Sequence, residues 1–182
     1  MKTSMFVGTS VDGFIARLDD ALDFLPDDGG EPHGYDEFMA SVDVLVIGRK
    51  TFNKVMTFSE WPYGDKRVVV LSHEPLALPP LPTVERMEGT PASILARLEA
   101  SGATHAYVDG GLTLQGFLSA GLLDRMVITR VPVLIGEGIP LFGKLPRDLR
   151  LRHVATRAFA SGLVQSEYEV LRDHSARAEV RR

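Results

Sequence analysis

Three short, unbroken apolar runs constrain this chain more than any other feature: Asp43–Ile47 (DVLVI), Arg67–Leu71 (RVVVL) and His105–Val108 (HAYV). A run that short, with no polar residue on alternate positions, suits a strand buried on both faces. Such strands sit inside a parallel sheet whose two sides are covered by helices. Helical patterns do separate the runs. Tyr35–Ser41 reads as a short helix, and Gly48-Arg49-Lys50-Thr51 leads into another over Phe52–Thr57, with Thr51 as a suitable N-cap. Thr90-Pro91 places a cap and then a proline at the start of a third helix, which Gly102 ends. Gly110-Gly111 opens a fourth that runs to Ala120.

Further strands frame this core. Lys2–Ser10 and Phe14–Ala16 read as strands around a Val11-Asp12-Gly13 turn, and Val84–Met87 and Arg125–Val131 as two more. Val154–Ala160 and Leu163–Leu171 flank Ser161-Gly162, the pattern of a hairpin. Arg17–Gly34, the proline-rich stretch Pro75–Pro82 and the Gly-rich stretch Val133–Phe142 are predicted loops. The expected fold is one α/β domain over residues 1–172, with a mostly parallel central sheet, helices on both faces and an antiparallel C-terminal hairpin. The charged tail 173–182 is expected to be disordered.

Composition removes several function classes. The 182 residues include no cysteine, which excludes disulfides, thiolate metal sites and cysteine nucleophiles. The five histidines show no metal-ligand spacing, so no metal is expected. A net charge of -4 argues against a nucleic-acid surface. The longest apolar runs fall far below the ~20 residues that span a bilayer. No signal-peptide order opens the chain, so a cytoplasmic location is expected.

Two strand-to-helix junctions hold the candidate chemistry. At Gly48-Arg49-Lys50-Thr51, free helix N–H groups, a guanidinium and a hydroxyl suit a phosphate. The plainer reading is a cap and a solvated arginine. At Val108-Asp109-Gly110-Gly111-Leu112-Thr113, two glycines permit close approach of a pyrophosphate, though they equally make a tight turn. Leu71-Ser72-His73 ends a third strand, where Ser72 and His73 suit a ribose phosphate or simply terminate the strand. Asp12, Asp27, Asp28 and Asp36 are candidate acids in the N-terminal part.

In order along the chain, four segments resemble the dihydrofolate reductase superfamily. They are most similar to the reductase domain of the riboflavin-biosynthesis deaminase-reductase and its stand-alone relatives. The segments are Ser10–Ala16 (SVDGFIA), Ile47–Phe52 (IGRKTF), Val108–Gly111 with Leu114 and Phe117-Leu118, and Leu123-Asp124 through Pro132 followed by Gly136–Phe142 (GEGIPLF).

The resemblance implies an NADPH-dependent reductase of dihydrofolate-reductase-like three-layer fold, acting on a pteridine-like or ribityl-pyrimidine-like small molecule. Alternatives are a weak dihydrofolate reductase and a non-catalytic nucleotide-binding protein. The resemblance places Arg49, Lys50 and Thr51 at the cofactor phosphates, and Leu71, Ser72 and His73 at the adenosine ribose phosphate. It places Gly110, Gly111, Leu112 and Thr113 at the pyrophosphate, and Gly8, Ile15 and Val108 beside the nicotinamide. Asp28, Asp36 and Glu37 are fillers for the superfamily's substrate-binding acid, with Thr129 across from it. Arg17 and Arg130 are the nearby basic groups. Relatives of this kind commonly form homodimers, so a dimer is expected, with a small molecule as the other partner.

Overall fold

The structure, a computed structural model, describes residues 1–26 and 32–171. Ten strands and four helices follow one another: β1 (Lys2–Ser10), β2 (Phe14–Ala16), α1 (Tyr35–Ala40), β3 (Val44–Gly48), α2 (Arg49–Val55), β4 (Arg67–Leu71), β5 (Val84–Met87), α3 (Pro91–Ala100), β6 (His105–Asp109), α4 (Gly111–Ser119), β7 (Arg125–Val131), β8 (Ile139–Pro140), β9 (Leu151–Ala158) and β10 (Val164–Val170). Eight strands form one sheet in the order β5-β4-β3-β6-β1-β7-β10-β9. The five pairings from β5 to β7 are parallel, and β10 is antiparallel to both β7 and β9. This is the expected mostly parallel sheet with a C-terminal antiparallel hairpin.

The apolar runs lie at the centre for the reason they were legible. Leu45, Val46, Ile47, Val68, Val69 and Val70 have no exposed surface. On one face, Val46, Val69, Ala106 and Val108 pack with Ile94 and Leu98 of α3 and with Leu114 and Phe117 of α4. On the other, Leu45, Ile47, Val68, Val70 and Tyr107 pack with Phe38 of α1 and with Phe52 and Val55 of α2. Strand alternation sends successive side chains to opposite faces, so each run feeds both cores. The cap of α3 forms as expected: the Ser93 N–H donates to Thr90 Oγ1 at 3.2 Å, with proline following the cap.

Two details differ from the sequence expectation. Helix α2 begins at Arg49, with extended Gly48 in the cap position, so Thr51 lies inside the helix and does not cap it. Its hydroxyl is instead turned onto the neighbouring junction. The Gly-rich stretch also holds a strand. β8 pairs antiparallel with β2 in a separate two-stranded sheet. Gly138 makes this pairing fit, because a Cβ there would collide with the Ala16 carbonyl oxygen. Asp12 fastens the same unit by accepting from the Gly136 N–H at 2.8 Å and the Ile135 N–H at 3.3 Å. The hydrogen bond with Ser10 and these amide donors hold its carboxyl below the ordinary range.

Gly110 carries the strictest backbone demand, with φ 95° and ψ 135°. An added Cβ would also strike Thr51 Oγ1. Gly110→Ala is therefore expected to cost about 3 kcal/mol of folding stability, measured as a lowered urea midpoint, from backbone strain plus overpacking.

Candidate active site

The β3–α2 and β6–α4 junctions lie side by side, because β3 and β6 are adjacent parallel strands with Ile47 opposite Asp109. Each junction supplies a threonine that covers the other's glycine. Thr51 Oγ1 lies over Gly110, and a Cβ on Gly48 would stand 2.6 Å from Thr113 Oγ1. Gly111 has no more room, with Ile15 3.1 Å and Ile139 3.3 Å from where its Cβ would be. Above these contacts open the first-turn amides of α4, from Gly111, Leu112 and Thr113, which a helix leaves without internal acceptors. Backbone donors at a helix start are what a pyrophosphate requires. The residues present therefore fit the phosphates of a dinucleotide.

At the end of β4, Ser72 is buried, and its hydroxyl donates to the Glu74 carbonyl at 2.8 Å, closing a tight turn. His73 is exposed, and Leu71 is half-buried against the core. Arg49 and Lys50 are exposed at the start of α2. The Arg49 guanidinium is ion-paired with Glu74, so Arg49 and the Ser72 turn form one group. Arg86 of the edge strand β5 joins it by donating to the Ser72 carbonyl at 2.9 Å. Sequence reasoning missed Arg86, whose place depends on Val70 lying opposite it in the sheet.

Around the expected nicotinamide position, Ile15 leans on Gly111. Gly8 leaves space that Leu25 fills, since a Cβ there would come within 2.9 Å of Leu25 Cδ2. Val108 is fully buried in the core beneath α4, so only its backbone faces this region. Leu112 is 74% exposed beside the opening.

Asp109 ends β6 on the face that carries Tyr107, two residues before it. Loss of water around its carboxyl pushes its pKa up to about 6, against a smaller opposing effect of the Gly110 N–H, which donates to it at 2.8 Å. Tyr63 and Tyr107 line the same region, and desolvation raises both phenols. No sequence pattern marks Asp109 as unusual, because its altered acidity comes from burial alone.

On the same face of the sheet, a cavity of 610 Å³ lies between α1 and strands β1, β7, β10 and β9. Phe6, Phe38 and Val127 give it an apolar floor. Gln165 forms a polar wall, its Nε2 donating to Thr129 Oγ1 and to the His33 carbonyl, each at 3.0 Å. Thr129 is thereby buried beside the cavity. Asp36 is exposed on the first turn of α1, and the next residue, Glu37, lines the cavity. Asp28 lies outside the described residues. Arg17 is paired with Asp23 at 2.6 Å, and Arg130 is exposed. Among the described residues no group of His, Asp or Glu is placed to hold a metal ion, and no helix is long and apolar enough to cross a membrane.

An open, mostly parallel α/β sheet with glycine-lined junctions at its carboxyl edge and a cavity alongside is a fold of the dihydrofolate-reductase-like type. Residues 2–165 match the family described as RibD C-terminal domain, and the chain belongs to that family. It is similar to a Shewanella sp. PV-4 protein provisionally assigned to riboflavin biosynthesis, with 38% identity, a TM-score of 0.88, and coverage of 94% of this chain and 100% of that one. A Thermotoga maritima diaminohydroxyphosphoribosylaminopyrimidine deaminase/5-amino-6-(5-phosphoribosylamino)uracil reductase shares the fold at a TM-score of 0.72 and 15% identity, over 93% of this chain and 56% of that one. Enterococcus faecalis dihydrofolate reductase, solved with NADP(H), shares it at a TM-score of 0.64 and 20% identity, over 93% and 94% of the two chains.

The raised pKa of Asp109 makes folding stability depend on pH. A carboxyl whose folded-state pKa exceeds its unfolded value of 3.8 binds more protons when folded. Its contribution is complete below that unfolded value and is lost as pH rises through about 6. Asp109→Asn is expected to be more stable than wild type at pH 7 by up to about 3 kcal/mol. The difference should vanish in denaturation curves taken below the unfolded pKa.

Proposed function

We propose that this chain is an NADPH-dependent reductase that delivers hydride to a pyrimidine- or pteridine-like ring. The observation that carries the reading is the pair of interlocked junctions, Gly48 with Thr113 and Gly110 with Thr51, next to a cavity on the same side of the sheet. When bound, the reduced nicotinamide supplies the hydride. The chain's own residues do the rest. The α4 amides and Arg49 hold the phosphates, and Ser72 with His73 and Arg86 borders the adenosine end. Gly8 and Ile15 flank an apolar slot that excludes water and aligns the two rings. Asp109 ends β6 at the junction with α4, and burial pushes its pKa up to about 6. It donates its proton to the substrate atom left with the electron pair once hydride has been added elsewhere on the ring or sugar.

The test is oxidation of NADPH in the presence of 5-amino-6-(5-phosphoribosylamino)uracil, the compound named in the Thermotoga enzyme's description, with dihydrofolate as comparator. Turnover is expected, with a rate that falls as pH rises through about 6. Arg49→Ala should raise the KM for NADPH about tenfold, the loss of a charge-assisted hydrogen bond. It should discriminate less against NADH. Asp109→Asn should lose kcat while NADPH still quenches Trp61. NADPH binding with no turnover of either compound would favour the nucleotide-binding reading and reject the reductase.

A homodimer and a cytoplasmic location complete the reading. Strand β9 supports the dimer. It lies at the sheet edge with every residue but Ala155 exposed, including Leu151 and Val154, and such an edge invites a partner. Light scattering at micromolar concentration should return twice the mass of the chain.

A further inference from the structure

The stretch 138–143 runs between the small β2–β8 sheet and helix α4, and one side chain of α4 fastens it. Gln115 lies one turn beyond Gly111. Its Nε2 donates to the Pro140 carbonyl of β8 at 3.0 Å. The other side of the amide is closely fitted too. A Cβ on Gly143 would stand 2.6 Å from Gln115 Oε1 and 2.9 Å from its Cδ. Gly143 is not in the left-handed region, so what this glycine supplies is room for the Gln115 amide.

Two further contacts tie the same stretch down. Ile139 rests on the start of α4, 3.3 Å from where a Gly111 Cβ would be. Leu141 is buried in the core, and its N–H donates to the Gly13 carbonyl at 3.0 Å. Ile139 and Leu141 are held by packing and backbone. Gln115 adds a directional bond from a side chain of the helix itself.

Helix and small sheet carry different parts of one site. On the reductase reading, on which this inference rests, the first-turn amides of α4 hold the pyrophosphate and Ile15 of β2 borders the nicotinamide. β2 is paired with β8. A bond from α4 to β8 therefore fixes where Ile15 stands relative to the amides. A dinucleotide must reach both places at once, and a reacting ring is aligned only as well as its two supports are held.

We infer that Gln115 is a positioning residue for the cofactor: its amide sets the separation between the phosphate-holding start of α4 and the ring-holding β2–β8 sheet. It acts through the Pro140 carbonyl and needs no contact with the cofactor. With the sheet already fastened, less order has to be imposed when the nicotinamide enters.

Calorimetry tests this with two ligands, NADPH and adenosine 2′,5′-bisphosphate, which carries phosphates but no nicotinamide. The proteins are wild type, Gln115→Met and Gly143→Ala. Methionine matches the length of glutamine and suits a helix but cannot donate to Pro140. Gly143→Ala displaces the Gln115 amide from the other side and leaves the glutamine in the chain. Both variants should bind NADPH about fivefold more weakly, the scale of one lost neutral hydrogen bond. Both should bind the bisphosphate as wild type does, which a general loosening of α4 would not allow. The double variant should be no weaker than either single one, because both remove the same bond. NADPH binding of equal strength in wild type and the single variants would overturn the assignment, and so would an equal loss for both ligands. Those outcomes leave the reductase reading standing, whereas no binding of NADPH by wild type would reject that reading and this role together.

Discussion

Two threonines lying over two glycines set the geometry of the sheet's carboxyl edge. Thr51 and Thr113 occupy equivalent places, each three residues beyond the glycine of its own junction and over the glycine of the other. A methyl group on either glycine would push α2 and α4 apart. The helix starts would then no longer sit beside each other, and the amides of Gly111, Leu112 and Thr113 would lose their common direction. Interiors packed to crystal-like density transmit such a displacement and do not absorb it. The paired junctions are therefore a packing feature first, and the phosphate-binding role proposed for them demands the same small residues.

From that edge the face carrying α1 is ordered by strand register. Tyr107 donates its hydroxyl to the Phe6 carbonyl at 2.9 Å, fixing β6 against β1 below Asp109. Further across, Thr129 and Gln165 join β7, β10 and the loop at His33 through two hydrogen bonds from one amide. Desolvation acts on both sides of this face, raising the pKa of Asp109 and lowering that of His105. His105 meets the cost with Ser4 at 2.8 Å and the Ser41 carbonyl at 2.8 Å, which anchors the end of α1 to the sheet.

The sequence made the scaffold legible wherever a local pattern carried the information. DVLVI and RVVVL are buried on both faces, so their lack of alternation was itself the signal. Thr90-Pro91 announced α3 through cap chemistry that needs only neighbours. Thr51 looked like a cap for the same local reason, but α2 starts at Arg49, two residues before it, leaving the hydroxyl to pack across onto Gly110. β8 is two residues long and exists only through pairing with Phe14–Ala16, more than a hundred residues away. Asp109 and Arg86 were out of reach for a related reason. The first is made unusual by burial and the second by register, and neither is written in nearby residues. The family motifs lie along the carboxyl edge of the parallel strands, and they say nothing about the wall formed by β9 and β10.

The position of β1 bears on how the chain is made. Made before both of its neighbours, this strand lies between β6 and β7, and the Thr3 N–H donates to Asp124, 121 residues later, at 2.9 Å. Its hydrogen-bonding edges therefore stay open until residues 105–131 have left the ribosome. At ordinary synthesis rates that wait is on the order of ten seconds. Meanwhile β3, β4 and β5 can assemble in order as neighbours, while Met5 and Val7 remain uncovered. Strand β1 thus takes its place only after strands made later than it. A slowly translated or truncated chain would present an apolar, unpaired strand to chaperones and to other copies of itself.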